Sequence, residues 1–133
     1  MPLRIVQLGT SRHHGEGLRL GTVRRPPRGV PKAEFASRDF YDVWLPNLSP
    51  TAELVKGALK AAADHDEREW KRFVSQFRKQ MSEHYASHLL DLLAALSHQA
   101  SFSLGCYCED EAHCHRSVLR ALLAERGAIF AHA

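Results

Sequence analysis

The chain has 133 residues, 44% of them apolar and 25% charged, with three cysteines and a formal charge of +3. Those proportions suit one ordinary soluble domain with one core and argue against a disordered or fibrous chain. No apolar run approaches the roughly 20 residues needed to cross a bilayer, and MPLRIVQLGT lacks the apolar stretch of a signal peptide. Cytoplasmic residence, no membrane partner and reduced thiols are therefore expected. The charge is uneven: residues 1–38 carry eight Lys/Arg against two Glu, and residues 39–133 carry ten against thirteen acids. A basic N-terminal third suits an anionic ligand or nucleic acid.

Leu3–Leu8 reads as a first strand, closed by Gly9-Thr10-Ser11, small hydrogen-bonding residues typical of strand-end loops. Leu18–Val23 reads as a second strand. Arg24-Arg25-Pro26-Pro27-Arg28-Gly29 cannot be regular structure, because proline lacks the N–H donor and glycine marks a turn. It places three guanidiniums, suited to bidentate anion contacts, on one stiff loop. Phe40–Leu45 is a third strand, broken by Pro46. A helix follows through Lys60, with Ser49 or Thr51 as its cap. Trp70, Phe73, Val74, Phe77 and Met81 trace one stripe of a helix over Glu67–Met81. A further helix spans His84–Leu96.

Phe102, Leu104, Cys106 and Cys108 alternate as in a strand. A polar loop, Glu109–His113, precedes Cys114-His115-Arg116-Ser117 and a helix carrying Val118, Leu119, Leu122 and Leu123. Ala128–Ala131 reads as a closing strand. The order predicts a single α/β domain over residues 1–133: a small, largely parallel sheet of about five strands flanked by helices, three-layered in type. Ligands of such sheets sit beyond the carboxyl ends of the strands.

All three cysteines lie in the strand–loop–helix unit. It puts a thiol, an imidazole and a guanidinium at a helix N-terminus, where free N–H groups and the dipole favour negative charge. The expectation is an anion pocket for phosphate, nucleotide or carboxylate, lined by Gly9, Ser11, Arg24, Arg28, Cys108, Cys114, His115 and Arg116. Cys114 and His115 are the candidates for reactive groups. The spacing is not the Cys, five residues, Arg of cysteine phosphatases: five residues after Cys108 comes Cys114, and Glu109, Asp110 and Glu111 between them repel a phosphate dianion. A second reading is zinc, held by Cys106, Cys108 and Cys114 with His113 or His115. The bland alternative makes Cys106 a buried apolar residue. No cofactor motif is read. Nucleic-acid binding through the basic third, and dimerisation through a free sheet edge, are further partner readings.

The Arg24…Pro27-Arg28-Gly29 loop, Val43-Trp44-Leu45…Leu48-Ser49-Pro50…Glu53-Leu54, Glu69-Trp70…Phe73, Leu8-Gly9-Thr10-Ser11 and above all Cys106-Tyr107-Cys108…Cys114-His115-Arg116 resemble the YeaO-like family of domains of unknown function. Val23 stands where the family usually has an acidic residue, and Pro26 where it has an aromatic. The resemblance implies a compact α/β domain and no particular reaction.

Overall fold

The computed structural model describes residues 2–131. Four parallel strands, β1 (Leu3–Gln7), β2 (Leu18–Gly21), β3 (Val43–Trp44) and β4 (Phe102–Cys106), form a sheet in the order β1-β4-β2-β3. The helices are α1 (Ala52–Asp64), α2 (Glu67–Met81), α3 (His84–Leu96) and α4 (His115–Glu125). No described helix is long and apolar enough to cross a membrane.

Register explains the two faces of the sheet. Leu3 lies beside Phe102, and Ile5 beside Leu104, which in turn lies beside Leu20. These residues meet Phe73, Phe77 and Met81 of α2, Leu90 and Leu93 of α3, and Val118, Leu119, Leu122 and Leu123 of α4 in one core. The apolar positions recur every three or four residues on the helices and every two on the strands, so each element buries one face. The opposite face carries Arg19 and Ser103 side by side, then Gly21 beside Gly105. Irregular chain covers it in place of helices: Arg19 bonds back to Glu16, Thr10 and Asp39. Tyr41 lies flat over Gly21, where an added Cβ would stand 2.4 Å from its ring. The third layer is thus loop.

Caps follow the sequence. The Thr51 hydroxyl accepts from the Leu54 amide at 3.3 Å and starts α1. Asp66 accepts from Arg68 and Glu69 and starts α2. Helix α1 runs past Lys60 to Asp64, because Ala61-Ala62-Ala63 propagates it, and His65 in the left-handed region ends it.

Two expectations are corrected. The sheet has four strands, since Ala128–Ala131 joins it only through a bridge between Phe130 and Leu3. The predicted strand Phe40–Leu45 shrinks to Val43–Trp44. Asp39 takes a left-handed conformation, and Asp42 is occupied by Arg12 and by the Arg19 amide. Phe40 and Tyr41 turn into an aromatic cluster with Phe35 and Tyr107.

Gly17 precedes β2 at φ +79°, and a Cβ there would stand 2.0 Å from the Ser101 carbonyl oxygen. Both the backbone conformation and the close approach to rigid backbone exclude a side chain. Gly17→Ala is expected to lower stability by about 3 kcal/mol, measured as a fall in the urea midpoint with an unchanged slope.

Candidate thiol site

Strand β4 ends at Cys106. The chain then turns through Tyr107 and Cys108, crosses the loop Glu109–His113, and enters α4 with Cys114 as the N-cap residue. The Asp110 carboxylate accepts from the Ala112 amide and shapes the loop. Cys106 and Cys114 thereby return to one point, both buried. Cys106 Sγ, Cys114 Sγ and a ring nitrogen of His115 lie within 4.8 Å of one another. Cys108 Sγ is 3.8 Å from Cys106 Sγ. All three thiols are free of disulfides.

His115 is held from behind. Its Nε2 lies 2.6 Å from the Thr22 carbonyl oxygen and 3.2 Å from the Thr22 hydroxyl. A carbonyl only accepts, so Nε2 carries a proton and donates it. Nδ1 then points at Cys114 Sγ, 3.7 Å away. The Thr22 hydroxyl donates to the Gly105 carbonyl, which ties β2 to β4 beneath the ring. Phe77 packs edge-on against the same imidazole. Its tautomer and plane are both set by these neighbours.

Hydrogen bonds from Cys106, and then from Cys108, drive the Cys114 thiol far below its ordinary value despite burial, and the contact with the His115 ring acts in the same direction. The Cys106 thiol is driven up, first by its hydrogen bonds with Cys108 and Cys114 and then by burial. The directions of these shifts favour the thiolate on Cys114 over one on Cys106 or Cys108.

These sulfurs form the floor of a cleft of about 790 Å³ at the carboxyl ends of β2 and β4. Helix α1 supplies one wall through Val55, Ala58, Leu59 and Ala62, and Val23, Pro50 and Phe73 complete an apolar lining. Arg24, Arg25 and Lys56 stand at its edge, with no ion pair among the described residues. The carboxylates there are engaged: His113 lies between Asp110 at 3.0 Å and Glu67 at 3.2 Å, and Asp66 caps α2.

The residues singled out in the sequence divide into three groups. Arg24, Cys108, Cys114 and His115 line the cleft together. Arg28 lines a neighbouring hollow of about 720 Å³ with Arg25, Pro26, Pro27 and Phe40. Tyr107 borders both spaces, its hydroxyl donating to the Arg25 carbonyl at 2.8 Å. Gly9 and Ser11 line neither: Gly9 backs onto the Phe40 ring. Arg116 does not meet Arg28. It is buried, donating from Nη2 to the Cys108 carbonyl, and its Nε has no partner. It holds the Cys106–Cys108 turn in place and sets a positive charge behind it. The imidazole beside the thiols is His115; His113 sits at the rim against Trp70. Sequence reasoning missed Thr22, Lys56 and the α1 wall. A threonine at a strand end is a faint signal, and nothing in the spacing of α1 says which of its faces meets the sulfurs.

The chain matches the profile of a family described as DUF488-N3a, the active DUF488-N3 subclade, over residues 3–127. No curated protein and no solved structure matches it. The profile spans nearly the whole chain, from the first strand to the end of the cysteine-bearing helix, so the chain belongs to the DUF488 family.

Proposed function

We propose that this protein is a thiol enzyme that binds an anionic substrate with an apolar body and presents Cys114 to it as the nucleophile. One observation carries the reading: Cys114 occupies the N-cap of an eleven-residue helix at the floor of the cleft, with the Cys106 thiol and a nitrogen of the His115 ring within 4.8 Å of its sulfur. A helix N-terminus favours negative charge on the nucleophile and on whatever approaches it. The low position of the Cys114 thiol agrees with this geometry.

The substrate class follows from the walls. Arg24, Arg25 and Lys56 line the cleft and form no ion pair among the described residues, whereas its carboxylates already have partners. Val23, Val55, Leu59 and Phe73 offer apolar contact. A group with one negative charge and a hydrocarbon or aromatic portion satisfies both. A compact phosphate dianion leaves the apolar walls unused.

Two alkylating reagents of nearly equal size test this. Iodoacetamide is neutral and iodoacetate is an anion. In metal-free, reduced protein, iodoacetate is expected to modify Cys114 with saturable kinetics and faster than iodoacetamide. For a cysteine in water the charged reagent has no such advantage. Combining Arg24→Ala with Lys56→Ala should remove the preference about tenfold while leaving the iodoacetamide rate within twofold. A preference for the neutral reagent at Cys114 would reject the anionic substrate class.

A further inference from the structure

We infer that Cys106, Cys108, Cys114 and the Nδ1 of His115 form a zinc-binding set, and that zinc bound there withdraws Cys114 from chemistry. The coordination stands on its own geometry. The regulatory consequence rests on the proposed role of Cys114 as nucleophile.

Zinc held tetrahedrally by sulfur at 2.3 Å and imidazole nitrogen near 2.05 Å requires S–S edges of about 3.8 Å and S–N edges of about 3.6 Å. Cys106 Sγ and Cys108 Sγ are 3.8 Å apart, and Cys114 Sγ and His115 Nδ1 are 3.7 Å apart. Each distance matches one edge of such a tetrahedron. Cys106, Cys114 and His115 already share a common centre. Cys108 is half-buried in the cleft lining and outside that trio, and its side chain turns towards the trio to complete the set.

The back of the imidazole is fixed as well. Nε2 donates to the Thr22 carbonyl at 2.6 Å. In a neutral ring that leaves the lone pair on Nδ1, on the side of the thiols. An outer partner that fixes the ring in this way is the usual companion of a metal-binding histidine. Any buried imidazole N–H needs an acceptor; what singles this ring out is the pair of thiols, Cys106 and Cys114, gathered within 4.8 Å of one of its nitrogens. Sulfur and imidazole donors in tetrahedral array select zinc over the oxygen-seeking ions.

Binding releases protons: a thiol loses its proton when its sulfur takes the metal, and any proton on Nδ1 leaves with it. The lone pair on Cys114 Sγ that would attack a substrate is then donated to zinc. The loaded protein is the silent form, and removal of the metal exposes the nucleophile.

The test uses the whole reduced chain, dialysed first against a chelator and then against sub-micromolar free zinc. One zinc per chain should remain. Cobalt in its place should give the strong visible bands of a tetrahedral site and a near-ultraviolet band from thiolate. Cys106→Ser and His115→Gln should each weaken retention by at least about 100-fold, the upper range for losing even an outer partner of a metal ligand, with helical content by circular dichroism confirming that the variants fold. Cys108→Ser should keep the cobalt spectrum tetrahedral but reduce its thiolate band. Zinc should slow iodoacetamide modification of Cys114 at least tenfold, reversed by chelator.

Failure of the wild-type chain to retain metal would overturn the inference. So would zinc retention that is indifferent to Cys106→Ser and His115→Gln, or that leaves Cys114 alkylation unchanged, since the metal would then sit elsewhere. A Cys114 in metal-free protein no more reactive than an exposed thiol would instead reject the nucleophile, with the cobalt spectrum still reporting the metal set.

Discussion

Replacing Arg19 with Met is expected to destabilise the protein by about 3–5 kcal/mol, enough to unfold a large share of molecules in a domain of ordinary stability. The Arg19 side chain is fully buried, and the Glu16 side chain is 1% exposed. Arg19 Nε and Nη2 take the two Glu16 oxygens at 2.8 and 3.0 Å, while Nη1 donates to the Thr10 and Asp39 carbonyls. The second side of Glu16 is closed by the Ser103 hydroxyl at 2.6 Å and the His13 amide at 3.1 Å. Every charge here is satisfied, so the loss of one partner strands a carboxylate out of water. Methionine keeps most of the stem volume but none of the donors. The double variant Arg19→Met, Glu16→Gln should recover at least half of the loss in urea denaturation. If the single and double variants fall equally, packing rather than charge is the cause.

The same network sets an acid limit. Burial pushes the Glu16 carboxyl up, but the hydrogen bonds from Arg19, Ser103 and the His13 amide outweigh it and hold the group at about 2, against an ordinary 4.5. A carboxyl depressed in the folded state contributes stability that is complete above its unfolded value. That contribution, about 3 kcal/mol, is lost as pH falls from 4.5 towards 2. The melting temperature should drop steeply across that window, and Glu16→Gln, already destabilised, should show a shallower fall.

The second large effect is on reactivity. Cys114→Ser is expected to abolish rapid alkylation of the metal-free protein at pH 7, leaving only slow labelling of the half-buried Cys108. An unperturbed thiol with pKa near 8.5 is only about 3% ionised at that pH. A thiol held low by neighbouring donors is ionised throughout, and even with its reduced intrinsic nucleophilicity it should react roughly tenfold faster. The rate at Cys114 should therefore be flat from pH 6 to 9, where a free cysteine rises steeply. His115→Gln removes the ring beside the sulfur and the Thr22 tie; it should slow labelling about tenfold and restore a pH dependence. Mass spectrometry of the labelled peptide separates Cys114 from Cys106 and Cys108. Equal rates in wild type and Cys114→Ser would show that the reactive sulfur is another.

What the amino-acid sequence determined by itself was local. The apolar stripe Phe73, Phe77 and Met81 specified α2, alternation at Phe102, Leu104 and Cys106 specified β4, and Thr51 marked the start of α1, because side-chain periodicity and caps act within a few residues. The crowding of three cysteines before one helix made the site legible as a place. Its membership was decided only in three dimensions. Cys106 and Cys114 meet because the turn after β4 doubles back, and Thr22 reaches His115 because β2 lies beside β4 in the sheet. Arg28 and Arg116 part because the proline loop turns towards Phe40 and Tyr107, while Arg116 folds under Cys108. The wall from α1 and the cation Lys56 come from a segment about fifty residues away in the chain. Local pattern reports which face of an element is apolar. It does not report which other element that face, or the polar one, will meet, since that depends on the strand order and on the packing of the whole core.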